Sequence, residues 1–385
     1  MKEFVKSTLF PSPKRSLDSS AKVRGFCCGM AMMATLLLAT QPANAASVFM
    51  TGNDTNGPVT SFNGARKWSD GAAPTSGNDY YSSTWYIRTP ASVSATSYTF
   101  GGDSLTLQAF AAANARSMLF KGFNGDELII NNFTNAAGSR IDQGSGAAGA
   151  SISGNRWTIA GDSTLAADQG GPWTINSPLA GSANFTNLGA GTITYNGDNS
   201  AFNGRFVLGG TTAKVILNSL SALPGNPAAS TPDQFILGAT SLLQDNVGVT
   251  YNNSNGGITL AGASTISAAT AGANTTIAVP ITGTFALTKT GNGILTLSGS
   301  NTFTGGLTFN AGQLNINSTN AIGTNTFNIN VAGGVIDNTS GGAISNANNN
   351  PVTISQSFTF NGSSDLDLGT GNVNNGSLAK TATVS

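Results

Sequence analysis

The sequence predicts an all-β chain built as a β-solenoid, and three observations carry that prediction. Apolar and polar residues alternate along short runs throughout residues 285–368. Gly and Asn fill the gaps between those runs. A spaced pattern of Gly, Asn and Phe recurs about 100 residues apart.

The alternation comes first. Phe285-Ala-Leu-Thr, Leu295-Thr-Leu-Ser, Leu307-Thr-Phe-Asn, Leu314-Asn-Ile-Asn, Phe327-Asn-Ile-Asn, Phe358-Thr-Phe-Asn and Leu366-Asp-Leu-Gly all have period two. Successive strand side chains point to opposite faces, so each run offers one apolar and one polar face. No stretch has the 3.6-residue period of an amphipathic helix. Gly and Asn between the runs suit turns, where φ is often positive. Strands at this spacing fit a sandwich, a barrel or a solenoid.

The repeat separates these. Gly189, Gly191, Gly197 and Asn199 match Gly291, Gly293, Gly299 and Asn301, each displaced by 102 residues. After a one-residue gap, Phe202 and Gly204 match Phe303 and Gly305. Ala222 and Leu223 match Ala321 and Ile322 at a displacement of 99. One copy has several half-apolar strands and too little else to cover them, so stacking is what buries a continuous core. With roughly 20–29 residues per coil, a copy supplies about four coils and the exported chain 13 to 15. Outward Asn, Ser and Thr suit a stacked face on which Asn side chains form ladders. A sandwich of separate 100-residue domains is the alternative.

Export is read from the first 45 residues. Lys2, Lys6, Lys14, Arg15, Lys22 and Arg24 precede an apolar run from Phe26 to Ala39, and Ala43-Asn44-Ala45 follows. Basic stretch, apolar core and small-x-small site make a secretory signal peptide. The run has 14 residues, short of the roughly 20 that span a bilayer. Cys27 and Cys28 leave with it, so the exported chain has no thiol, no disulfide and no Cys ligand. It also has no His, and its eleven basic residues face fifteen acidic ones. Without a basic cluster, nucleic-acid binding is excluded. No cofactor, metal or further membrane span is expected.

At residues 287–317 the pattern L-x-K-x-G-x-G-x-L-x-L-x-G-x-N-x-Y/F-x-G-x-T-x-x-x-x-G-x-L-x-V is met by Lys289, Gly291, Gly293, Leu295, Leu297, Gly299, Asn301, Phe303, Gly305, Gly312 and Leu314. This closely resembles the autotransporter-associated β-strand repeat. The match is weaker over residues 185–218, which lack the Lys, and only begins at 378–385. Residues 68–80 and 100–107 look like the opening of such passengers. The resemblance implies a right-handed parallel β-helix in a secreted passenger, adhesin-like, on or outside a Gram-negative-type cell. The C-terminal barrel of full autotransporters has no counterpart in these residues.

The resulting organisation is a signal peptide at 1–45 and an N-terminal cap with the first coils at 46–110. Solenoid coils follow at 111–182, then repeat units at 183–283 and 284–375. The start of a truncated third unit occupies 376–385, as in a fragment. An exposed terminal sheet edge would favour self-association.

Chemistry-bearing residues are few. Glu127, the single Glu beyond residue 45, adjoins Asp126. Asp365 and Asp367 share one strand face, either as an acid pair or as a solvated face that discourages edge pairing. Glycosidases use two placed carboxylates, and the commonest triads need His; the reading is therefore non-enzymatic. Gly101-Gly102-Asp103 has only part of the nonapeptide calcium pattern. Trp68, Tyr80, Trp85 and Tyr86 form an aromatic group that either stacks on glycans or plugs the open end of the solenoid. The expected function is a structural or adhesive surface scaffold contacting glycans or surface proteins. The alternatives are a carbohydrate-binding module and a β-helical polysaccharide-active enzyme.

Overall fold

A computed structural model describes residues 45–385, except 56, 93, 111–115, 123–124, 145–148, 211 and 378. The signal-peptide reading of residues 1–45 therefore lies almost wholly outside the described residues. The chain divides into units Met1–Ala43 and Asn44–Ser385, and the solenoid is the second of these.

Among the described residues there are 38 strands and no helix. Every strand pair is parallel, and the chain visits three faces in a fixed cycle. One cycle shows the rule: Arg156–Ile159 on face 1, Ser163–Ala166 on face 2, Trp173–Ile175 on face 3, then Leu179–Gly181 on face 1 again. Face 3 is one sheet of thirteen strands, from Ser97–Thr99 to Val373–Asn374. Face 2 is a nine-stranded sheet ending at Ile281–Gly283, with a two-stranded sheet, Ile344–Ser345 and Leu366–Asp367, farther on. Face 1 is two seven-stranded sheets, Ala46–Phe49 to Ala201–Phe202 and Thr250–Tyr251 to Ala382–Val384. The result is a β-solenoid of about thirteen turns, counted on face 3. Separate sandwich domains are ruled out by that continuous sheet.

Period-two alternation sets the inside and the outside. On face 1 the register column Val48, Tyr80, Leu105, Phe133, Trp157, Leu179 is buried throughout. On face 3 the column Trp173, Ile193, Val215, Leu243, Ile266 continues through Lys289 to Phe309 and Ile329. Each such column is a stack of interdigitated side chains. The burial of apolar area, about 25 cal/mol per Å², is its main stabilisation.

The two repeat copies do not stack face on face. Phe185–Leu188 lies on face 2, whereas its match Leu287–Thr290 lies on face 3. Thr192–Tyr195 lies on face 3, and its match Ile294–Leu297 on face 1. From Phe185 the chain makes four turns to Ile281 on face 2, through Phe206, Phe235 and Ile258, and then one face more. The expected four coils per copy become four and a third. The motif is thus a local strand–corner–strand device that any face accommodates, because turn length varies. Register partners advance by 20 residues from Lys289 to Phe309 and by 30 from Ser97 to Glu127.

Candidate functional site

The best-defined local chemistry is the corner inside the repeat. Lys289 is inward on Leu287–Thr290 and fully buried. Its Nζ donates to the carbonyl oxygens of Thr290 (2.9 Å), Gly291 (2.9 Å), Gly293 (3.0 Å) and Ala311 (2.8 Å). The first three belong to its own corner and the fourth to the next turn. An ammonium has three N–H groups, so four carbonyls share them. The Phe309 ring lies 6.0 Å from Nζ, at the outer limit of a cation–π contact. Burial pushes this lysine down to about 8, so it is still mainly charged at neutral pH. The arrangement explains why Lys and Gly-x-Gly occur together: the ammonium gathers carbonyls that the tight corner turns inward.

The glycines are steric necessities. Gly291 and Gly189 have φ of 78° and 94°, in the left-handed region that side chains avoid. A Cβ on Gly299 would run into the carbonyl of Val279, and one on Gly197 into that of Ser177. Gly293 and Gly191 abut the backbone of the preceding turn, as do Gly305 and Gly204.

The asparagines bridge three turns. The Asn301 side chain accepts from the Ile281 amide (2.8 Å) and donates to the Ala321 carbonyl (2.6 Å). Asn199 accepts from the Leu179 amide (3.1 Å) and donates to the Ala222 carbonyl (2.8 Å). The contacts are the same in both copies although the faces differ. The lysine has no such counterpart. Asn187 stands in its place, buried, with its Oδ1 accepting from the Tyr195 hydroxyl at 2.5 Å. A neutral amide–phenol pair there replaces the ammonium.

Two of the four residues of the aromatic group, Trp68 and Tyr80, are turned into the core. Tyr80 belongs to the inward column of face 1 and has no exposed surface. Trp68 is 3% exposed, and its indole N–H donates to the Ser61 carbonyl at 2.7 Å. Trp68, Tyr80 and Phe100 pack edge to face, with centroids 4.8–6.3 Å apart. Trp85 and Tyr86 are half-buried, Trp85 against the core and Tyr86 near Phe110. As folded, neither Trp68 nor Tyr80 offers a ring face to a sugar, because alternation and the Met50–Trp68 bridge turn both inward. Nearby, Phe49, 44% exposed, stacks on the half-buried Tyr81 at 5.1 Å.

The two acid pairs differ in their surroundings. Asp126 is buried, accepting from Ser92 (2.6 Å) and the Thr96 amide (2.9 Å), while Glu127 points outward. Asp365 and Asp367 are both exposed. The Gly369 amide and Ser345 hydroxyl hold the Asp367 carboxyl below the usual range, unlike a general acid. Among the described residues, no group of three or more His, Cys, Asp or Glu could hold a metal ion.

A continuous polar ladder occupies the outside of face 3. Asn246 donates to Asn218 (3.1 Å), Asn218 to Asn196 (3.0 Å), Asn196 to Asn176 (2.9 Å) and Asn176 to Ser153 (3.1 Å). Ser153 then donates to Glu127 at 2.6 Å. Composition alone suggests ladders; their location and their carboxylate terminus come from the register.

Residues 287–316 match the model of the passenger-associated-transport-repeat family. The chain is also similar to the adhesin BmaC autotransporter of Brucella suis biovar 1 (strain 1330), 41% identical over 80 residues. That match covers 21% of this chain and 2% of the relative, so the chain corresponds to a small part of that protein. No solved structure matches.

Proposed function

We propose, from the premise that this chain carries an autotransporter passenger repeat, that it is the exported passenger part of an adhesin-like surface protein. It acts at or outside the surface of a Gram-negative-type cell as a β-solenoid scaffold, making contacts and not catalysing reactions. The observation that carries the reading is the repeat corner itself, with Lys289, Gly291, Gly293 and Asn301 placed as a stacking device. Such a device serves length and rigidity and leaves outward residues free to vary. The non-catalytic part is supported by Asp126 and Glu127 facing opposite sides and by Asp367 being tied into a turn.

The test uses the full chain expressed from its own gene in its native cell. The proposal expects antibody labelling and protease sensitivity on intact cells, and expects gene deletion to reduce attachment to glycoprotein-coated or abiotic surfaces. A product found only inside the cell, or unchanged attachment after deletion, would overturn it.

A further inference from the structure

A shallow cavity of about 390 Å³ lies on the outside of face 3. Its polar lining is Ser151, Thr174, Asn176 and Asn196, with Gly149 and Pro172 as a thin wall. The volume falls in the range of small-ligand sites. No charged side chain lines it. Asn176 and Asn196 are also consecutive rungs of the ladder that ends on Glu127.

We propose that this groove is a binding site for a neutral saccharide, a reading that rests on the contact-scaffold function above and names its ligand class. Each ladder amide uses one N–H and one oxygen lone pair on its neighbours. The second N–H and the second lone pair remain available, repeated at the turn spacing of about 4.8 Å. The neighbours fix each amide in one orientation, so little side-chain freedom is lost when a ligand binds. The carboxylate of Glu127 orients the chain of donors and polarises it.

Sugar hydroxyls both donate and accept, which matches a row of groups offering both. An anionic polymer would meet no cation in the groove and a carboxylate near its edge. A protein partner would want a buried aromatic or Arg anchor, and the lining has none. Trp68 and Tyr80 are inward, and none of the four aromatic residues favoured by sequence lines the groove, so hydrogen bonding without ring stacking sets an expectation of modest affinity.

The experiment titrates the full chain with maltohexaose, cellohexaose and laminarihexaose, using saturation-transfer NMR. Tetragalacturonate and chondroitin sulfate are the charged comparisons. At least one neutral hexasaccharide should bind with a Kd in the millimolar range or better. Asn176→Leu with Asn196→Leu should weaken it at least about tenfold, the loss of one to two hydrogen bonds, with an unchanged melting temperature. Asn246→Leu, at the far end of the ladder, should leave binding within about twofold. If the double variant fails to fold, Ser151→Trp fills the groove from an outward position and should abolish binding. No binding of any neutral hexasaccharide, a preference for the charged polymers, or binding indifferent to Asn176 and Asn196 would each overturn the proposal. Cell attachment that persists in the groove variants would sink the groove while leaving the scaffold function standing.

Discussion

Replacing Asn301 or Asn199 by Ala should cost nearly the same stability, although the two residues lie 102 positions apart and on different faces. Each side chain joins a backbone N–H of the preceding turn to a carbonyl of the following turn, in buried surroundings. Truncation orphans one donor and one acceptor. At about 1–3 kcal/mol for each unsatisfied buried group, partly relieved by relaxation, the loss is about 2–4 kcal/mol. A solenoid loses stability locally, since each turn contacts only its neighbours. All four tryptophans lie at or before Trp173, so fluorescence would miss an event at Asn301. Hydrogen exchange read by mass spectrometry is the suitable assay. Asn301→Ala should accelerate exchange in residues 279–283 and 321–323, and Asn199→Ala in 177–181 and 222–225. The two free-energy losses should agree within about 1 kcal/mol. A loss under about 0.5 kcal/mol at either site, the range of an ordinary surface change, would refute the claim that both asparagines are three-turn bridges.

Lys289 gives the stability of its turns a pH dependence. Its folded value of about 8 lies below the ordinary 10.5. Between the two, the unfolded chain holds the extra proton, so stability rises as pH increases through 8 and is flat below it. The gain should reach about 2 kcal/mol by pH 9.5 and vanish in Lys289→Met, as read by urea unfolding. The buried Tyr195 and Tyr251 hydroxyls are both pushed up by burial, so tyrosine ionisation favours the unfolded chain only at higher pH. Gly299→Ala should cost more than about 2 kcal/mol, because the obstructing atom is the Val279 backbone carbonyl; a variant with wild-type exchange around residues 277–299 would contradict this. Trp68→Ala should cost about 3–5 kcal/mol and loosen the first turns; thermal melting near wild type would show that its packing on Tyr80 and Phe100 contributes little.

The solenoid is legible in the sequence because period-two alternation and turn residues are local properties. The repeat is legible because its glycines are demanded by backbone collisions, as at Gly197 and Gly299, which few other residues survive. The advance by one face between copies is not legible. It depends on summed turn lengths of 20 to 30 residues, which leave no mark at any single position. The role of Lys289 is half visible: a lone lysine in an inward position, followed by Gly-x-Gly, is a signal of carbonyl capture. Tyr80 reads from sequence as a candidate glycan contact because it stands with Trp68, Trp85 and Tyr86, and only the register shows that Tyr80, and not the adjacent Tyr81, faces inward. Likewise the ladder from Glu127 to Asn246 joins residues 22 to 28 apart along most of its length, and sequence spacing alone does not show which of many asparagines share a column.

The architecture stands on a parallel stack in which the second copy sits one face on from the first. Disulfide cross-linking reads that placement, in a chain with Cys27 and Cys28 replaced by Ser. Thr265 and Thr288 are register partners on face 3, and adjacent strands place Cα atoms about 4.8 Å apart, within disulfide reach. Thr259 lies in the face 2 column that contains Thr186, the match of Thr288. The pair Thr265→Cys with Thr288→Cys should oxidise rapidly to a band shifted on a non-reducing gel, while Thr259→Cys with Thr288→Cys should stay reduced. Cross-linking of the second pair and not the first would place Leu287–Thr290 over Phe185–Leu188 on one face, and the one-face advance would be wrong.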